Sequence, residues 1–195
     1  MKIQTHAIRT YTQNSHTRKS QKDNVRTFPS EGHDGRHGPL RRKDDTAGAA
    51  RATSCESHDI SRPGRGARTT FDAGVLAIWR DSDHWAKLCF EYSPQGEAMV
   101  VSVVTRGSSD DVNSAVVTHR AVWLRIAFLG GDAWAFHASH DGVRWDFVRL
   151  FSLAEGGSPA RVGFMAQAPL GQACTARFDE IVLREALVSN LRDGS

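Results

Sequence analysis

Cysteine is scarce in this 195-residue chain, which has only Cys55, Cys89 and Cys174. Their spacings match no zinc or redox motif, and an odd count argues against a secreted disulfide scaffold. Cys89 and Cys174 lie in apolar strand patterns and are expected as reduced core residues. No apolar run approaches the roughly 18 residues a membrane-spanning helix needs, so no membrane partner is expected. The opening MKIQTHAIRTYTQ has a lysine but no apolar stretch of the kind a signal peptide carries, which points to a cytoplasmic location. A Gly-x-Ser-x-Gly elbow, a phosphate-cradling glycine loop and a His-Glu-x-x-His helix are all missing. The expected catalytic, metal and cofactor sets are therefore empty.

Large apolar residues are themselves missing from the first third. Before residue 69 there is one Leu (Leu40), one Phe (Phe28) and no Trp. The same segment holds fourteen Lys/Arg against seven Asp/Glu, a formal +7, leaving −4 for the rest of a chain whose total is +3. Such a stretch cannot bury enough apolar area to offset its ordering entropy, so residues 1–68 are expected to be a disordered basic tail. The cluster Arg41-Arg42-Lys43 would suit a nucleic-acid arm, but Asp44 and Asp45 follow at once and the only aromatics are Tyr11 and Phe28. No nucleic-acid partner is expected. His33 and His37 are flanked by Gly and Asp, without metal-ligand spacing. A Thr/Arg/Ser/His/Gly mixture ending abruptly at a patterned strand is what a frameshift or a mis-called start produces.

From residue 69 the chain is dense in short apolar runs of period two. Nine strands are expected: 72–80, 84–92, 98–106, 114–118, 121–129, 132–140, 144–151, 160–168 and 173–185. Between them lie breaks such as Asp81-Ser82-Asp83, Pro94-Gln95-Gly96, Gly130-Gly131 and Pro169-Leu170-Gly171. Strands at this spacing, with no sustained helical period, predict an antiparallel sandwich or barrel over residues 69–188. Residues 189–195 are expected as a C-terminal tail, and LVSNLR as a turn of helix. The stretch HASHDGVRW (137–145) comes close to the sialidase Asp-box, yet Asp141 and Gly142 are adjacent where that motif separates them. It reads instead as a tight Asp-Gly hairpin, with Trp145 beginning the return strand.

Alternation sets Ala86, Leu88 and Phe90 against Trp85, Lys87, Cys89 and Glu91. It likewise sets Val122, Leu124, Ile126 and Phe128 against Trp123 and Arg125, and Trp134, Phe136 and Ala138 against Ala135, His137 and Ser139. A second face mixing Trp with Lys, Glu, Arg and His suits a sugar, since an indole covers the apolar side of a pyranose while charged groups bond its hydroxyls. The candidate ligand-binding residues are Trp85, Lys87, Glu91, Arg106, Trp123, Arg125 and His137. The plain alternative is that these aromatics and cations only cover a solvated face. Sandwich glucanases place two carboxylates about 5–5.5 Å apart. Here Lys87 and Glu91 read as a salt-bridged pair, Asp179 and Glu180 point to opposite faces, and Asp110 and Asp111 read as loop residues.

Six stretches, FDAGVLAIWRDSDHWAKLCFEY, VVSVVTRGSSDD, VWLRIAF, SHDGVRWDFVR, RVGFMAQAP and ARFDEIVL, together resemble a family of unknown function labelled regulation-of-enolase-protein-1-like, family 1349. That family lies within the concanavalin A-like lectin/glucanase superfamily. The resemblance runs from about Phe71 to Leu183. It implies an all-β, antiparallel jelly-roll sandwich, incomplete here because the family's first strands do not show in residues 1–68. Its recurrent positions include Gly74, Trp79, Trp85, Lys87, Glu91, Thr105, Arg106, Trp123, Arg125, Asp141, Gly142, Trp145, Gly163 and Phe178. By analogy the superfamily implies carbohydrate recognition. The reading that follows is a noncatalytic, lectin-like sandwich whose partner is a carbohydrate or other small polar ligand. Two alternatives are a glycoside-active enzyme built around Glu91 with His137 assisting, and a structural or protein-interaction module.

Overall fold

A sheet apolar on one side is stable only when something closes over that side. The computed structural model, which describes residues 9–14, 46–57, 69–153, 160–171, 173–185 and 188–195, closes two sheets on one another. The described strands are β1 (Arg9–Asn14), β2 (Thr46–Ser57), β3 (Ala73–Trp79), β4 (His84–Tyr92), β5 (Ala98–Arg106), β6 (Ser108–Val116), β7 (Ala121–Phe128), β8 (Ala133–Ser139), β9 (Asp146–Ser152), β10 (Arg161–Gln167) and β11 (Ala173–Glu185). One sheet runs β1-β11-β2-β7-β8-β9 and the other β10-β3-β4-β5-β6. Every pairing is antiparallel. The molecule is the all-β sandwich that the alternating runs predict.

The core is the layer between the sheets. The smaller sheet contributes Leu76 and Ile78 from β3, Ala86, Leu88 and Phe90 from β4, Val100 and Val104 from β5 and Phe164 from β10. The larger sheet answers with Val122, Leu124 and Ile126 from β7, Trp134 and Phe136 from β8, Phe151 from β9 and Phe178 from β11. Each fully buried side chain of this size contributes about 1.5–3 kcal/mol, and tilted ring pairs such as Phe136–Phe151 and Phe164–Phe178 fill the layer. Among the described residues no helix is long and apolar enough to cross a membrane.

Four sequence expectations are corrected. Residues 1–68 were expected to hold no strand, yet β1 pairs with β11, and β2 lies between β11 and β7. TAGAARATSCES has no alternation of large apolar residues; ladders on both sides, rather than intrinsic propensity, set its conformation. The rest of that segment, and the frameshift expectation with it, lies outside the described residues. Asp110 and Asp111 stand in a strand rather than a loop, since β6 begins at Ser108 and all nine of its residues are exposed. An edge strand needs no apolar face, so its polar sequence conceals it. Cys89 is a buried free thiol, as expected, but Cys174 is disulfide-bonded rather than reduced; a strand's apolar pattern marks burial and says nothing of which cysteines become neighbours. Finally, β8 ends at Ser139 and β9 starts at Asp146, so HASHDGVRW spans a six-residue loop and not a two-residue hairpin.

Candidate functional site

Registers place the seven candidate residues on three different surfaces. Trp85, Lys87 and Glu91 lie on β4 with their backs to the core, on the outer face of the five-stranded sheet. Trp123 and Arg125 on β7 and His137 on β8 occupy the outer face of the other sheet, on the far side of the sandwich. Arg106 belongs to neither. Its partner is His84, in the alternation that faces the core, and at the strand end its guanidinium donates to the Ser152 carbonyl of β9 (3.3 Å). Alternation separates the two sides of one strand, but it does not say which sheet the strand joins, and a sandwich has two outer faces. The single face expected from the sequence is therefore two faces. An enzyme pairing Glu91 with His137 is excluded by their placement.

The face carrying Trp123, Arg125 and His137 is occupied by the chain itself. Ser139 Oγ accepts from the Gly142 amide (2.9 Å) and donates to Asp141 Oδ1 (3.0 Å), which also accepts from the Val143 and Arg144 amides (2.8 and 2.9 Å). Those bonds hold the Asp141 carboxyl below its ordinary pKa and fold the loop down onto the sheet. Gly142, at φ +75°, lies so close to the Trp123 indole that a Cβ there would stand 2.6 Å from it. The Arg125 guanidinium stacks 3.6 Å from the centroid of Trp145 and donates to the Gly194 carbonyl. Burial pulls its pKa down to about 10, with Arg184 acting in the same direction. His137 is fully buried and donates from Nε2 to the Leu191 carbonyl (2.8 Å), while burial lowers its pKa. Residues 189–195, expected as a C-terminal tail, thus sit on this face through His137, Arg125 and an Arg192 guanidinium over the Phe147 ring. Residues 191–194 form a turn there, not the expected turn of helix.

The outer face of the five-stranded sheet is where chemistry gathers. One cross-strand row reads Arg161, Trp79, Trp85, Thr105 and Ser109. The next reads Gly163, Ala77, Lys87, Val103 and Asp111, followed by Met165, Val75, Cys89, Val101 and Asn113. The last holds Gln167, Ala73, Glu91, Met99 and Val116. Apart from Trp79 at its end, the β3 residues on this face, Ala73, Val75 and Ala77, are small and buried. That low floor lets side chains from β4 and β10 meet above it. Lys87 Nζ donates to Gln167 Oε1 (2.8 Å), and Gln167 Nε2 donates to Glu91 Oε2 (3.1 Å) and to the Phe71 carbonyl (3.0 Å). Lys87 and Glu91 are therefore joined through Gln167 and make no direct salt bridge.

Electrostatics follow from that geometry. Burial raises the Glu91 pKa, Lys87 opposes it, and Asp111 adds to it. Cys89, sealed in the floor, is pushed up to about 12 by burial and is chemically inert. Among the described residues no group of His, Cys, Asp and Glu is arranged to hold a metal ion. Trp79, Gln167 and Asp111 escaped the sequence candidates. Trp79 was visible in the family pattern and by counting two from Ala77, whereas Gln167 and Asp111 depend on which strands become neighbours.

No curated protein matches the chain. A functionally unknown protein from Saccharomyces cerevisiae is similar in structure, with 27% identity over 74% of this chain and 71% of its own, at a TM-score of 0.59. A GH43 protein from Bacillus licheniformis shares 13% identity over 75% of this chain at a TM-score of 0.59. A xylan β-1,4-xylosidase from Bacillus halodurans shares 14% over 74% at 0.58. The chain spans only 28% of each of these two proteins, and at such identity the likeness shows the fold alone, a β-sandwich. The sequence pattern of the family described as "Protein of unknown function (DUF1349)" matches residues 61–186, and the chain belongs to that family.

Proposed function

We propose that the chain is a noncatalytic, lectin-like domain and that it binds carbohydrate on the outer face of its five-stranded sheet. One observation carries the reading: two half-exposed indoles, Trp79 and Trp85, are register partners on the same face as the Lys87–Gln167–Glu91 network. An indole covers the apolar side of a sugar ring and buries it without asking for a polar partner. The network supplies a cationic donor, an amide and a carboxylate acceptor, the groups that sort hydroxyls by direction. Both features are ends of one surface with a buried floor, which limits how far the side chains must be ordered on binding.

The test is a glycan array followed by calorimetry on the full chain. Binding that falls at least tenfold in Trp85→Ala and in Trp79→Ala, with the fold intact by circular dichroism, supports the proposal. A folded protein that binds nothing on the array sinks it. A second reading, glycosidase-like chemistry at Glu91, is favoured by the raised pKa of that carboxyl, which suits a general acid. It requires turnover of a polysaccharide that disappears in Glu91→Gln.

A further inference from the structure

The charge layout of the same face narrows what it can hold, given the carbohydrate-binding reading above. A site for acidic sugars needs cations free to meet carboxylates, and Arg is the residue that meets them with two parallel bonds. Arg106, which the sequence offered for that task, lies off this face, in the core-facing alternation at the exposed end of β5, where it donates to the Ser152 carbonyl. The central cation is Lys87, and its ammonium is engaged by Gln167 Oε1. Two carboxylates share its surroundings: Glu91, four residues along the same strand, and Asp111, in the same cross-strand row on β6. Arg161 stands at the opposite rim, in the tryptophan row. Among the described residues of this face, two cations thus stand with two anions, and both anions lie near the central Lys87.

Distances along the strand add a second constraint. Trp85 and Glu91 are six residues apart on β4. At about 3.4 Å per residue they are separated by about 20 Å. A ligand that stacks on the indoles and also reaches the Gln167–Glu91 end must be several sugar units long.

We infer that the face is built for an uncharged oligosaccharide lying along β4, and that Glu91 and Asp111 exclude acidic sugars from it. The carboxylates act by repulsion while Gln167 holds Lys87, so selectivity arises from what the face refuses as well as from what it bonds. Binding that depends on stacking and neutral hydroxyl contacts is also insensitive to salt, unlike binding driven by net charge.

The experiment is calorimetry of the full chain with xylohexaose and cellohexaose as neutral probes and hexagalacturonate as the acidic one, at low and high salt, with xylose and glucose as monomers. The expected result is binding of at least one neutral oligomer, at least tenfold weaker binding of hexagalacturonate, no measurable binding of monomers and little change with salt. The double variant Glu91→Gln, Asp111→Asn is expected to narrow the gap between neutral and acidic oligomers. Hexagalacturonate binding as tightly as the neutral oligomers overturns the inference while leaving the carbohydrate reading in place. Failure of every saccharide to bind folded protein overturns both. A double variant that binds less of the neutral oligomer and still refuses the acid removes the exclusion role from Glu91 and Asp111.

Discussion

Single residues decide which surfaces of this sandwich are open. Gly142 is the sharpest case, because two separate requirements meet there. Its φ of +75° lies in the left-handed region, and a Cβ placed on it would stand 2.6 Å from the Trp123 ring. A methyl group costs about 1–2 kcal/mol for the backbone conformation and about 1–3 kcal/mol for overpacking. Gly142→Ala is therefore expected to lose about 2–5 kcal/mol in urea denaturation, whereas Gly131→Ala, with φ +54° but open space around it, should lose only the backbone part. Equal losses in the two variants would mean that contact with Trp123 is unimportant. Glu91 is the counterpart on the other face, where the floor of Ala73, Val75 and Ala77 leaves room for a network to form above it. These roles were unevenly legible. Asp141 and Gly142 announce a turn, but nothing in HASHDGVRW says that the loop will lie on an indole two strands away in sequence.

At the scale of elements, residues 188–195 act as a strap across the β7–β8 face. Its anchor at His137 has a pH dependence whose sign is fixed by burial. The imidazole has a lowered pKa in the folded chain, so below the ordinary His value of about 6.5 the unfolded chain takes up the proton first. Stability is then lost as pH falls through that window and is fully present above it. Thermal denaturation should show a lower midpoint at pH 5 than at pH 7, with a flatter profile in His137→Gln. Amide exchange at Gly194, bonded to the Asn190 carbonyl, should accelerate over the same range in the wild type. An unchanged slope in the variant would remove His137 from the account. The elements themselves were legible where the pattern was strong: β4, β5 and β11 match the expected bounds to the residue, and β3, β7, β8 and β10 to within one at each end. β2 and β6 were not, since one is rich in alanine and the other polar, and both owe their conformation to neighbours. Nor was the division of candidate residues between two faces, because strand order is a property of the assembled sheets.

In the whole molecule two sheets are joined mainly by an apolar layer, which has no directional preference to fix how they sit at the margins. On the side where β6 and β9 end their sheets, polar ties cross the gap. Arg149 of β9 reaches Asp110 of β6, with Nη2 2.6 Å from the carboxylate and Nη1 3.0 Å from the backbone carbonyl, and Arg106 reaches back to Ser152. The pair is unequal, since the Arg149 side chain is 14% exposed and that of Asp110 57%. Solvent at Asp110 therefore screens much of the attraction, and a double-mutant cycle with Arg149→Met and Asp110→Asn should give a coupling of about 0.5–1 kcal/mol. That coupling should shrink as salt is raised. Because Arg149 also grips the Asp110 carbonyl, which substitution leaves in place, Arg149→Met should cost more than Asp110→Asn. Equal single losses with no coupling would mean that the margin is held by the core layer alone, and that the exposed strand β6 is kept in the sheet only by its ladder with β5.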